Sequence, residues 1–388
     1  MLAANDPQPE FFGLGGLEME AAGLRRVVRA EDVAHMGITE ILRHIPRVYS
    51  EYRKLVAAIK KEKPGVAVLI DFPDVNLRLA RELKALDIPV IYFVSPQLWA
   101  WKKRRIRWVR ERVSKMMVIF PFEEPFYRAR GVDASFVGHP LAELPLPTVS
   151  RQQYAAEHGL DPGKQWIALL PGSRLKEVKL NLPAMIDAAD MLGEHYEFLL
   201  PVASTLRREE VETFVRQAAT QYAIPLNTHL VDDARAALFH ARASVVASGT
   251  ATVQAAVIGN PFLVVYRVSG LTYWVAKHLV AYPPEIHTTP DEHGNLPIAM
   301  VNLISCASLG RRAVPELVQR RFTALNLATH LKPLLEDESL RAITQADLAS
   351  VRLALQPAAR ASYPNSRFHA IERVCDEVLR QLGPAQHS

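Results

Sequence analysis

Three groups of residues have types and spacings suited to chemistry. The first is Asp71, which directly follows the apolar run 66–70 in Ile70-Asp71-Phe72-Pro73-Asp74-Val75-Asn76. Open α/β sheets bind ligands beyond the carboxyl ends of their strands. A carboxylate in that place can accept a proton from a substrate hydroxyl. Pro73 stiffens the turn, and Asp74 can cap the helix that follows. The plainer alternative makes both aspartates turn and cap residues.

The second group consists of two short loops. Leu170-Pro171-Gly172-Ser173-Arg174 follows a buried strand and precedes a helix. Gly172 lets the backbone approach a ligand, Ser173 and the loop amides can hold phosphate oxygens, and Arg174 adds a positive fork. No Gly-Lys-Ser/Thr closes this loop, so it is not a Walker A sequence. Ala247-Ser248-Gly249-Thr250-Ala251-Thr252 joins another strand to another helix. Each loop alone reads equally as a strand–helix turn. Two in one half of the chain favour a nucleoside diphosphate.

The third group is Ser95-Pro96-Gln97-Leu98-Trp99-Ala100-Trp101 and the basic stretch after it. Tryptophans two apart at a strand end offer an amphipathic surface, or simply pack in the core. Eight of the fourteen residues 102–115 are basic and one is acidic. Lys102, Lys103, Arg104, Arg105, Arg107 and Trp108 open that stretch. It carries +7 against +5 for the whole chain, so the remainder is slightly acidic. A basic helix bearing Trp suits phosphates, an anionic membrane surface or RNA, or is a solvated face.

These residues need elements to hold them. The 388 residues alternate short apolar runs with amphipathic segments, the pattern of βαβ units and parallel sheets. Strands are expected at 10–16, 66–70, 88–94, 115–120 and 134–137, with helices at 48–61 and 75–85. A Pro-rich segment, Gly138 to Pro147, forbids helix and marks a linker. The rhythm then restarts with strands at 166–170, 196–202, 228–231, 244–247 and 262–266, and a helix at 208–222. The expected organisation is a first domain over 1–145, a second over 146–360, and a C-terminal helix within 361–388. That helix aligns Ile371, Val374, Cys375, Val378, Leu379 and Leu382 on one face, and would dock across domains or between subunits.

Composition excludes several classes. Lys+Arg of 46 against Asp+Glu of 41 is too even for a general nucleic-acid binder. Cys306 and Cys375 are the two cysteines, and no Cys/His cluster has metal-ligand spacing. This usage fits a reducing cytosol. No apolar run reaches the ~18–20 residues that span a bilayer. Met1 to Glu10 lacks the basic start and apolar stretch of a signal peptide.

Taken in order, the motifs resemble the lipid-A-disaccharide synthase family. They are Met36-Gly37-Ile38-Thr39-Glu40, Ile70 to Asn76, Val94-Ser95-Pro96-Gln97-Leu98-Trp99-Ala100-Trp101, Phe120-Pro121-Phe122-Glu123 and Gly138-His139-Pro140. The series continues with Leu170 to Arg174, Ala247 to Thr252, Met300-Val301-Asn302-Leu303-Ile304 and Pro315-Glu316-Leu317. Each is weak alone. The ordered set is specific, and Ser-Pro-x-x-Trp-Ala-Trp is its most distinctive member.

The resemblance implies a GT-B α/β fold, two Rossmann-like domains facing a cleft, with the UDP site mainly in the second. It implies an inverting, metal-independent glycosyltransferase without a cofactor. The reaction moves 2,3-diacylglucosamine from its UDP derivative to 2,3-diacylglucosamine 1-phosphate, forming a β-1′,6-linked disaccharide and UDP. Asp71 takes the place of the general base. Arg174 and Asn302 fall on the nucleotide-binding positions, with Gly172, Ser173, Ser248, Gly249, Thr250, Gln254 and Glu316 on the donor side. Ser95, Trp99, Trp101 and the basic residues through Trp108 fall on the acceptor and membrane side. The implied setting is the cytoplasmic face of the inner membrane, held peripherally. A homodimer with exchanged C-terminal segments is compatible, and nucleic acid is not an expected partner.

Three departures stand out. The family's Gly-Glu-x-Ser-Gly-Asp segment and its opening strand have no counterpart before Asp6. Gln254 stands where the family usually has a Glu, so the bond to a ribose would be uncharged. Residues 283–297 read as an inserted polar surface loop. Two alternatives follow: an inactive, membrane-associated UDP-sugar binder, and another GT-B enzyme acting on a soluble UDP-sugar, such as an epimerase.

Overall fold

The computed structural model describes residues 9–34, 41–219, 227–270, 273–274, 280–357 and 369–383. The motif Met36 to Glu40 lies outside these residues. The chain forms two compact units. The first comprises Met1–Ile119, Glu123–Gly138 and Pro357–Ser388, and the second Phe120–Phe122 and His139–Gln356.

In the first unit, β1 (Phe11–Gly15) and β2 (Leu24–Arg29) pair in parallel. A separate parallel sheet has the order β3 (Ala67–Ile70), β4 (Val90–Phe93), β5 (Lys115–Val118), β6 (Ala134–Phe136). The inner strands β4 and β5 are buried along their whole length, as parallel strands covered on both faces must be. The edge strand β3 leaves Val68 and Ile70 exposed. Register aligns Ile70 with Phe93 and Phe93 with Met117, so the strands end level. Asp71 and the loop from Val94 therefore leave the same sheet edge. The helix Pro73–Lys84 covers the sheet with Leu77, Leu79, Ala80 and Leu83.

Among the described residues, the second unit holds one parallel sheet in the order β12-β11-β10-β7-β8-β9. Its strands are β7 (Gln165–Leu170), β8 (Tyr196–Pro201), β9 (Thr228–Val231), β10 (Ala243–Ala247), β11 (Phe262–Tyr266) and β12 (Glu316–Val318). The chain runs outward from β7 to β9, then returns to place β10 on the other side of β7. Such a reversal opens a crevice at the strand ends, the usual ligand site of this architecture. The loops that follow β7 and β10 both leave this edge, because Leu170 is paired with Val246.

Two strands escaped the sequence reading. β2 carries Arg25, Arg26 and Arg29, which mask its alternation, and β12 has three residues. The C-terminal helix spans Ala370–Leu382 and packs on β4 in the first unit. Its inward face is also a correction. Ala370, Arg373, Val374, Glu377 and Val378 are buried, while Ile371 and Leu382 are exposed. Glu377 accepts bonds from Arg380 and Gln381, and a partnered charge can go inside where apolar spacing alone would not put it.

Candidate functional site

Asp71 directly follows β3 in a left-handed conformation, φ 46°, and Phe72 follows at φ 45°. Non-glycine residues seldom stay there unless held. The hold is on the carbonyl oxygen of Asp71, which accepts from the Tyr92 hydroxyl at 2.6 Å and from Asn76 Nδ2 at 2.7 Å. Asn76 also donates to Ile70 O. The carboxylate itself is left at the surface. Burial, then the negative charge of Asp71, pushes the Tyr92 phenol far up, so it stays a proton donor.

Asp74 begins the next helix but accepts no cap bond within it. Its carboxylate meets Arg105 at 2.6 Å and Lys102 at 3.7 Å. Partial burial opposes its ionisation, yet Arg105 and Lys102 outweigh this and lower its pKa. The turn after β3 is thereby joined to the basic stretch.

The Ser95–Trp101 loop divides into an inner and an outer part. Ser95 Oγ donates to Glu123 Oε1 at 2.7 Å and Trp99 Nε1 to the same oxygen at 3.1 Å. Tyr127 OH donates to Pro96 O at 2.8 Å. Trp99 is 1% exposed, so for this ring the core-packing reading holds: an indole N–H goes inside when it finds a partner. Trp101 is 51% exposed, with Lys102 Nζ over its ring at 4.2 Å.

The basic stretch is not one helix. Lys103–Arg105 form a tight 3₁₀ turn, and a helix runs only over Ile106–Arg112. Trp108 is flanked by the guanidinium groups of Arg105 and Arg112. Lys115 belongs to β5, buried and paired with Asp133 at 2.6 Å. Lys103, Arg104 and Arg107 face solvent.

In the second unit, Gly172 has φ 128°. A Cβ there would lie 2.4 Å from Glu177 Oε2, so only glycine fits. Glu177, on the first turn of the helix Leu175–Leu192, organises the loop. Its carboxylate accepts from Ser173 N at 3.0 Å, Arg174 N at 3.3 Å and Arg174 Nη1 at 3.2 Å. Asn181 Nδ2 holds Pro171 O and Thr205 Oγ1 holds Ser173 O. The Arg174 side chain is 82% exposed at the strand edge. Glu177 went unnoticed in the sequence, although its spacing from the helix start is that of a capping box.

The companion loop carries Ser248, Gly249 and Thr250 into the helix Thr250–Ile258. Thr252 Oγ1 bonds Gly249 O, which pins the turn. Gly249 and Thr250 are exposed at the positive end of the helix. Gln254, one turn later, is half-buried on Thr250's side of the helix.

Asn302 is wholly buried in the helix Met300–Leu309. Its Nδ2 donates to Val314 O and Glu316 Oε1, and its Oδ1 accepts from Ala313 N and Val314 N. That uses all the bonds one amide can make. Glu316 also accepts from Ile298 N and Ala299 N. Burial raises its pKa, with those donors opposing. Asn302 and Glu316 thus order the start of the helix through backbone contacts.

The polar segment 283–297 is fastened in place. Tyr282 OH donates to Pro297 O, Arg312 Nε to Thr289 O, and Asp291 pairs with Arg312 and Arg321. Among the described residues, no group of three or more His, Cys, Asp or Glu could hold a metal ion.

A lipid-A-disaccharide synthetase family model matches residues 1–379. The lipid-A-disaccharide synthase of Acidobacterium capsulatum is 52% identical over 383 residues, covering 96% of this chain and 89% of that protein. The one from Koribacter versatilis is 48% identical, over 90% of this chain and 86% of its own length. Among solved structures, the S. aureus MnaA–UDP co-structure superposes with a TM-score of 0.57 at 12% identity, covering 95% of each chain. The glycosyltransferase CalG4 of calicheamicin superposes at 0.50 with 15% identity, over 97% of this chain and 91% of its own. The fold is thus of the GT-B type, and the family match makes the protein a glycosyltransferase. The chain belongs to the lipid-A-disaccharide synthase family.

Proposed function

We propose that this chain transfers 2,3-diacylglucosamine from its UDP derivative to 2,3-diacylglucosamine 1-phosphate, with inversion and without a metal. The observation that carries this reading is Asp71, an exposed carboxylate on a clamped left-handed residue at the end of a parallel strand. Strain of that kind costs ~1–3 kcal/mol and clusters at working sites. The Asp71 carboxylate takes the proton of the acceptor 6-hydroxyl. The hydroxyl oxygen bonds to the donor's anomeric carbon as its bond to UDP breaks.

The leaving UDP carries its charge to the Pro171–Arg174 loop, where Arg174 is exposed and Gly172 admits a close approach. Ser248, Gly249 and Thr250 offer a second anion-binding helix start, with Gln254 as an uncharged partner for ribose. Asn302 and Glu316 support this half as positioning residues.

Both substrates are acylated, so the enzyme works at a lipid surface. No helix among the described residues is long and apolar enough to cross a membrane. Exposed Trp101, Lys103, Arg104 and Arg107 support reversible docking on the anionic cytoplasmic face of the inner membrane.

The test is UDP release from the two diacylated substrates by wild type and Asp71→Ala. The variant is expected to lose transfer and keep UDP binding. Full activity in Asp71→Ala rejects the base assignment.

A further inference from the structure

We propose that Lys102 and Arg105 form a recognition site for the phosphomonoester of the acceptor, distinct in role from the outward-facing cations beside them. This rests on the transfer reading above and deepens it.

The basic stretch separates into two sets by direction. Lys102, at φ 55°, starts the tight turn Lys103–Arg105 and reverses the chain. That reversal brings Lys102 and Arg105 back onto the turn after β3, at 3.7 and 2.6 Å from Asp74 Oδ1. Arg105 is half-buried with its side chain 21% exposed, and Lys102, though an exposed residue, has its side chain 35% exposed against 68% for Arg107.

Charge supplies the second line. The turn presents two carboxylates, Asp71 and Asp74, within three residues of each other. A phosphomonoester carrying about −1.5 to −2 would be repelled there without compensation. Lys102 and Arg105 balance the charges of Asp71 and Asp74, so the turn meets a phosphate as a neutral cluster rather than as two carboxylates. Arg105 engages Asp74 through Nη2, and a guanidinium has five N–H donors. The Lys102 contact is longer than a direct hydrogen bond, and the Trp101 ring lies 4.2 Å from its ammonium. Donors on both cations are therefore placed for phosphate oxygens. Asp71, which accepts from the Tyr92 hydroxyl through its carbonyl oxygen, and Arg105 both act electrostatically on that phenol, so Arg105 lies within reach of the turn that carries the proposed base. The two ends of one sugar, hydroxyl and phosphate, would then be read by one turn of chain.

The experiment measures kcat/KM in detergent for the acceptor with and without its 1-phosphate. Enzymes are wild type, Lys102→Met, Arg105→Met and the pair Lys103→Met/Arg104→Met. Equilibrium binding of short-chain diacylglucosamine, with and without 1-phosphate, is measured in parallel. Wild type is expected to prefer the phosphorylated acceptor, and each of the first two variants to lose about tenfold of that preference. Lys103→Met/Arg104→Met is expected to keep the preference and to bind anionic vesicles less well. Equal use of both acceptors by wild type overturns the proposal, as does a preference unchanged in Lys102→Met and Arg105→Met. Phosphate-dependent binding that is lost in these two variants, without transfer in wild type, upholds the phosphate site and overturns the transfer reading.

Discussion

The Tyr92 hydroxyl donates a 2.6 Å hydrogen bond to the carbonyl oxygen of Asp71. A buried tyrosine on the central strand β4 therefore fixes the backbone of the residue directly following the edge strand β3. Asn76 donates to the same oxygen from the following helix. The carboxylate is aimed by bonds to the residue's backbone, which leave its own oxygens available to a substrate.

Removing that bond separates aim from presence. Tyr92→Phe keeps the ring packing and should cost about 1 kcal/mol of stability. Transfer kcat should drop roughly tenfold, with KM for the UDP donor little changed. A kcat equal to wild type in steady-state kinetics would show that Asp71 needs no such support.

Glu177 governs the donor loop. Glu177→Ala frees Ser173 N and Arg174 N and should weaken UDP binding by about tenfold in calorimetry. Glu177→Gln keeps a carbonyl oxygen for those amides and should recover most of the affinity. Equal affinities across all three proteins would mean the loop orders itself.

Gly172→Ala tests the same loop sterically. The added Cβ lies 2.4 Å from Glu177 Oε2 and 2.6 Å from its Cβ, at φ 128°. Both the strain and the displaced carboxylate act against UDP. The expected result is weaker UDP binding than in Glu177→Ala, with the melting temperature lowered as well. A variant that binds UDP normally would refute the need for glycine here.

Asn302 should matter for folding before chemistry. Asn302→Ala strands Ala313 N and Val314 N in a buried site, at a cost of about 3 kcal/mol in urea unfolding. A loss under 1 kcal/mol together with a large drop in UDP affinity would instead mean direct contact with the nucleotide.

His139 gives an acid limb to stability. Burial lowers its pKa from 6.5 to about 4. Between those values the unfolded chain binds a proton that the folded chain refuses. This contribution is thus full above about pH 6.5 and falls by on the order of 3 kcal/mol toward pH 4. His139→Gln should flatten that limb when unfolding is followed at pH 7.5 and pH 5. An unchanged slope would place the titration elsewhere.

Much of the fold was legible because its strands are short apolar runs bounded by loops. β4, β5, β7 and β10 are nearly continuous hydrophobes, as doubly covered parallel strands require. β2 was not, because its arginines point to partners elsewhere: Arg26 pairs with Glu20 and Glu31. The tilt of the C-terminal helix was hidden for a related reason. Arg373 and Glu377 count as polar in any periodicity, yet both are buried.

The sequence alone determined the alternating α/β architecture, the two strand–helix loops at 170–174 and 247–252, Asp71 at a strand end and the family. These are local properties, carried by residue type and spacing within a few positions. The tertiary structure decided which of the named residues face outward. It turned Trp99 and Ser95 in toward Glu123, drew Lys102 and Arg105 onto Asp74, and enclosed Asn302 in its four bonds. It also brought residues 171–174 and 248–250 to one crevice, because the strand order reverses between β7 and β10. Such relations join residues tens of positions apart, and sheet register and buried hydrogen bonding set them.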